Sequence, residues 1–135
     1  MSIISIEKKL MFSSAHRLYN DALTESENEA LYGHCVRWHG HNYTIWVTYR
    51  GEINPKTGLF INFYDLDEVL STLTKKFDHL NLNEDVAELK SLMTTVENIA
   101  VVSWDLLKKA RFGESLYNIR LEEIEGCVVE YSGPE

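Results

Sequence analysis

Two stretches of the chain alternate in hydropathy with a period of two, and they constrain the fold more than any other feature. Residues 3–16 place Ile4, Ile6, Lys8, Leu10, Phe12, Ser14 and His16 on one side and Ser5, Glu7, Lys9 and Ser13 on the other. Residues 39–50 place His39, His41, Tyr43, Ile45, Val47 and Tyr49 together. Successive side chains of a strand point to opposite faces, so each stretch predicts a long, half-buried strand. A third alternation sets Tyr117, Ile119, Leu121 and Glu123 against Asn118, Arg120 and Glu122. Glu125-Gly126 predicts a turn after it, and Val128–Tyr131 a returning strand. The turn composition of Asn54–Gly58 predicts a strand pair around it, continuing through Leu59–Phe63.

Between these strands the period changes. Leu66, Val69, Leu70, Leu73 and Phe77 recur at helical spacing, as do Val96, Ile99, Ala100, Ser103 and Leu107. Thr94-Thr95-Val96-Glu97 has the capping-box pattern at the start of the second helix. Thr24-Glu25-Ser26-Glu27 has it for a short helix ended by Gly33. Hairpins at both ends with helices between them predict an α+β layout, an antiparallel sheet with helices on one face. No repeat or linker interrupts the 135 residues, so residues 1–135 read as one domain. Thirteen Lys and Arg against 21 Asp and Glu leave a net charge of −8. Such a surface repels phosphate backbones, which argues against nucleic acid or an anionic membrane as partner. No apolar run could span a bilayer, and the first residues lack the order of a secretory signal, so the expected location is cytoplasmic.

The densest chemistry lies in His39-Gly40-His41, two imidazoles on one strand face. His16, at the end of the first strand's inward face, offers a third nitrogen. Three neutral histidines would leave a fourth metal position open, as catalysis requires; packed or surface histidines are the structural alternative. Cys35, four residues before His39 and near Arg37, is a candidate nucleophile or proton acceptor if its thiol is activated, and a small buried hydrophobe otherwise. Cys127, beside Val128 and Val129, reads as such a hydrophobe. Asp78-His79 could pair a carboxylate with a proton-transferring imidazole. Glu123 shares its face with core-type residues, so a polar group should meet it: a ligand with paired N–H donors, or an internal Arg or Lys. Glu97 has a sufficient role as capping-box acid.

Together these residues resemble the 6-pyruvoyltetrahydropterin synthase and 6-carboxytetrahydropterin synthase family. The matching stretches are Phe12–Leu18, Cys35 through His41-Asn42-Tyr43, Gly58–Phe63, Asp78–Leu82, Thr95–Asn98, and Glu123 with Tyr131. They run in family order across nearly the whole chain. The resemblance implies a tunnelling-fold subunit, a four-stranded antiparallel sheet with two long helices on one face. Such subunits form trimers whose sheets join into a barrel, and trimers stack into hexamers with active sites at subunit contacts.

The resemblance also implies a zinc-dependent lyase acting on 7,8-dihydroneopterin triphosphate with loss of triphosphate. By that likeness His16, His39 and His41 hold Zn²⁺, and Cys35 is the general base. Asp78 and His79, from a neighbouring subunit, form its proton relay. Glu123 anchors the pterin, and Thr95 and Glu97 match pterin-pocket positions. Val96 stands where relatives often carry Thr or Ser. Only Val36-Arg37-Trp38 separates Cys35 from His39, a short spacing typical of the bacterial 6-carboxytetrahydropterin synthases of queuosine and 7-deazapurine synthesis. On that spacing the expected product is the carboxy pterin; the alternative is the pyruvoyl pterin of tetrahydrobiopterin synthesis. An aldolase-type reaction on dihydroneopterin is disfavoured by Cys35. A non-catalytic zinc- or pterin-binding domain is disfavoured by an open three-histidine site beside a thiol.

Overall fold

The computed structural model describes residues 2–135. In chain order the elements are β1 (Ile3–His16), α1 (Glu25–Tyr32), β2 (His39–Glu52), α2 (Phe63–Lys75), β3 (Leu80–Asn81), α3 (Val96–Lys109), β4 (Leu116–Ile124) and β5 (Cys127–Tyr131). The two strongest alternations become the two longest strands. β1 and β2 pair antiparallel over their full length, from Ile3 opposite Glu52 to His16 opposite His39. That register lays both inward rows on one face of the sheet, with the histidines together at one end.

Among the described residues, the sheet has five strands in the order β3-β1-β2-β4-β5. It is mixed, because β3 runs parallel to β1 beside Ser14 and Ala15. This corrects the expected four antiparallel strands: a two-residue strand is too short to leave an alternation in the sequence. The strand expected through Leu59–Phe63 is also absent. The Asn54–Gly58 turn leads through an irregular segment into α2, whose N-cap Asn62 accepts from the Tyr64 N–H at 2.9 Å. Gly51 belongs to β2, and the Phe60 ring packs so closely against it that a Cβ there would lie 2.3 Å from a ring atom.

α2 packs over β1, and α3 over β4 and β5. Leu66, Leu70 and Leu73 of α2 and Ile99, Ala100 and Leu107 of α3 are buried against Phe12, Ile45, Val47, Ile119 and Leu121 of the sheet. Fully burying one such large side chain contributes about 1.5–3 kcal/mol, far more than the helix propensity of a single residue. The apolar stripes therefore hold both helices in place.

Two local expectations shift by one residue. The N-cap of α3 is Thr95, whose hydroxyl accepts from the Asn98 N–H at 3.3 Å. Glu97 is therefore not the acid of a capping box. An irregularity between Thr48 and Tyr49 pairs Tyr49 with Leu116, so Leu116 points inward and Tyr117 outward. The capping box of α1 forms as read, with Thr24 and Glu27 exchanging bonds. Cys127 is exposed rather than buried, at the edge of the Gly126 turn.

Candidate active site and metal centre

His16, His39 and His41 converge at the end of the β1–β2 ladder. Ring centroids lie 4.6 Å apart for His16 and His39, 5.2 Å for His16 and His41, and 5.0 Å for His39 and His41. One potential ligand nitrogen from each lies within 4.8 Å of the others. Main-chain carbonyls orient two of the rings. The Nδ1–H of His16 donates to the Thr94 carbonyl at 2.8 Å, and that of His39 to the Arg37 carbonyl at 2.6 Å. With Nδ1 protonated, each of these two neutral rings turns a bare Nε2 lone pair into the cluster, as metal-binding histidines do when a carbonyl holds their other nitrogen.

The cluster is built for neutral rings. His16 is 1% exposed, and burial drops its pKa from 6.5 to about 4, against the raising effect of the Thr94 carbonyl and with further lowering by His39 and His41. Burial also lowers the pKa of His41, opposed by Glu123 and reinforced by His39. Nε2 of His39 and Nε2 of His41 are buried without a hydrogen-bond partner. Unpaired buried nitrogens are costly, and a dication taking all three lone pairs removes that penalty. The residues present therefore fit Zn²⁺.

Glu123 closes one side of the cluster. Its Oε1 lies 3.5 Å from His16 Nε2 and 3.8 Å from His41 Nε2, and accepts from the Tyr43 hydroxyl at 3.3 Å. Glu123 follows the buried Ile119 and Leu121 on the inward row of β4, at the point where the β4–β5 register slips between Glu122 and Ile124. Tyr43, fully buried, stacks on Phe12 with centroids 4.9 Å apart. Its pKa is pushed well above the usual range by burial and by the Glu123 carboxylate, so it remains a hydrogen-bond donor.

The other site residues named from the sequence are not members of the histidine cluster. Cys35 sits half-buried on the short helical turn Gly33–Val36, where its carbonyl accepts from the Leu18 N–H at 2.8 Å. It is not a member of the histidine group. Asp78 and His79 stand at the outer edge of β1. Asp78 Oδ1 accepts from the Ser13 N–H at 2.9 Å, and Oδ2 lies 2.9 Å from His79 Nδ1. Both bonds lower the Asp78 pKa. His79 has a left-handed backbone, φ 61°, and its side chain is 82% exposed. A non-glycine residue held in that region is strained, and such strain is concentrated at functional sites. Thr95 uses its hydroxyl as the α3 cap, and Glu97 is exposed beside it. Thr94 and Tyr43 escaped the sequence reading as site residues. For Tyr43 the signal was present, because it follows His39 and His41 on the same face of β2.

A model of the 6-pyruvoyl tetrahydropterin synthase family matches residues 5–134. The chain belongs to this family. Its members are lyases of pterin biosynthesis, which makes the chain an enzyme of that class. It is 39% identical over 131 residues to the 6-pyruvoyl tetrahydrobiopterin synthase of Dictyostelium discoideum, covering 96% of each chain. The solved structure of Caenorhabditis elegans 6-pyruvoyl tetrahydropterin synthase superposes with a TM-score of 0.93 at 33% identity, covering 99% of this chain and 98% of that one. A relative from Archaeoglobus fulgidus provisionally named a 6-carboxy-5,6,7,8-tetrahydropterin synthase is 30% identical over 102 residues, covering 74% of this chain and 82% of its own. The balance of these relatives reverses the preference for the carboxy product drawn from the cysteine spacing. Among the described residues, no helix is long and apolar enough to cross a membrane.

Proposed function

We propose that the chain is a 6-pyruvoyl tetrahydropterin synthase, converting 7,8-dihydroneopterin triphosphate to the pyruvoyl pterin with release of triphosphate. The observation that carries this reading is the convergence of three imidazoles, two of them held by main-chain carbonyls, with Glu123 at their side, in a chain 39% identical to an enzyme of that name. His16, His39 and His41 hold Zn²⁺. When bound, the ion is a Lewis acid that acidifies the substrate's side-chain hydroxyls and the adjacent C–H bonds.

The remaining roles belong to this chain's own groups. Glu123 accepts the 2-amino and ring N–H hydrogens of the pterin, the polar partner that its place beside a buried row demands. Cys35 takes the side-chain proton as general base. The Asp78–His79 pair serves the site of a neighbouring copy, since in its own subunit it faces solvent at the sheet edge. Homo-oligomerisation into trimers or hexamers accounts for that placement. Among the described residues, the outer edge of β1 from Ile3 to Phe12 has no strand partner, and neither has the outer edge of β5, so copies can join edge to edge. In such an assembly Thr95 and Glu97, at the start of α3, border the pterin pocket.

The short Cys35–His39 spacing favours a second reading, the carboxy enzyme, in which carbon–carbon cleavage also releases acetaldehyde. Mass spectrometry of the zinc-loaded protein after incubation with dihydroneopterin triphosphate separates the two. A pyruvoyl product is expected. A carboxy product with acetaldehyde would transfer the assignment to the second reading, and no consumption would overturn both.

A further inference from the structure

Tyr43 is placed to connect the two halves of the site. It lies two residues beyond His41 on the inward face of β2 and is fully buried. Its ring is stacked nearly parallel on Phe12, 13° between planes, so the hydroxyl has one well-defined position. From there it reaches two acceptors, Glu123 Oε1 at 3.3 Å and His16 Nε2 at 3.5 Å. The second is the lone pair that His16 must give to a cation, because its Nδ1–H is committed to the Thr94 carbonyl. A hydroxyl has one proton to donate. Once His16 Nε2 holds a metal, Glu123 is the acceptor that remains.

We infer that Tyr43 is a positioning residue that couples metal binding to the pterin anchor, directing its hydroxyl to Glu123 Oε1 when the histidines are metallated. The carboxylate is then held with Oε2 and the second lone pair of Oε1 turned to a ligand's paired N–H donors. Buried charge-assisted hydrogen bonds of this kind are directional, and losing one displaces the carboxylate it orients. The inference rests on the reading of Glu123 as the pterin anchor, and by linkage the coupling acts equally in both directions.

The test measures binding of 7,8-dihydropterin, which keeps the ring N–H donors but has no side-chain hydroxyls to meet the metal, by fluorescence to metal-stripped and zinc-loaded protein, for wild type, Tyr43→Phe, Glu123→Gln and the double variant. Zn²⁺ affinity is read separately by chelator competition, and folding by circular dichroism. In wild type, zinc should tighten pterin binding. Tyr43→Phe should weaken binding to the zinc form about tenfold and abolish the dependence on zinc, with no further loss in the double variant beyond Glu123→Gln alone. Losses that multiply in the double variant, or a Tyr43→Phe protein that keeps the zinc dependence, would overturn the coupling while leaving Glu123 as anchor. Unchanged binding in Glu123→Gln would instead overturn the anchor reading on which the coupling rests.

Discussion

Acidifying the metal-stripped protein should destabilise it chiefly through His16. The ring is buried among two other imidazoles, and its pKa stands at about 4 in the fold against 6.5 in an unfolded chain. The unfolded state therefore binds the proton more readily. Stability is full above pH 6.5, declines as pH falls below that value, and stops declining below about 4. At about 1.4 kcal/mol per pKa unit, the whole window is worth about 3 kcal/mol, and about 2 kcal/mol is already lost at pH 5. Against a typical total of about 5–15 kcal/mol this is a large fraction. His41, its pKa lowered by burial, adds to the loss in the same direction. The depressed carboxyls of Asp78 and Glu88 act only at and below the carboxylate range, so their contribution begins as that of His16 ends. The assay is urea unfolding of EDTA-treated protein at a series of pH values, alongside His16→Gln. The variant should be less sensitive to pH between about 7 and 5. A wild-type stability that is flat over that interval, or an undiminished slope in His16→Gln, would refute the assignment.

Two further outcomes test the proposed division of labour. Cys35→Ala should retain zinc, measured by elemental analysis, and lose at least about a hundredfold in turnover, within the usual range for a general base; parallel loss of metal would make Cys35 a ligand. If Asp78 and His79 serve a neighbour, then inactive Cys35→Ala and His79→Ala proteins, unfolded and refolded together, should regain part of the activity that neither has alone. No recovery in verified mixed oligomers would return the relay to its own subunit.

The two long alternations and the two apolar stripes were readable because each repeats its period over many residues. They determine β1, β2, α2, α3 and the row that ends in His39, His41 and Tyr43. The motif HxH and its distant partner His16 were legible for the same reason: strand parity alone puts all three on inward rows. What a sequence does not carry is register. Pairing His16 with His39, rather than with a residue further along, is decided by the whole length of the β1–β2 ladder, and without it the three nitrogens never meet. The register slip beside Glu123, the shift that turns Tyr117 outward, and the two-residue β3 all arise from how neighbouring strands fit, not from any local pattern. Thr94 is a case of the same kind. It is remote in sequence from His16, and only the packing of the segment before α3 against the end of β1 brings its carbonyl to the ring. Local chemistry along the chain thus chose which residues could act, whereas long-range pairing, which depends on the geometry of all strands at once, decided which of them touch.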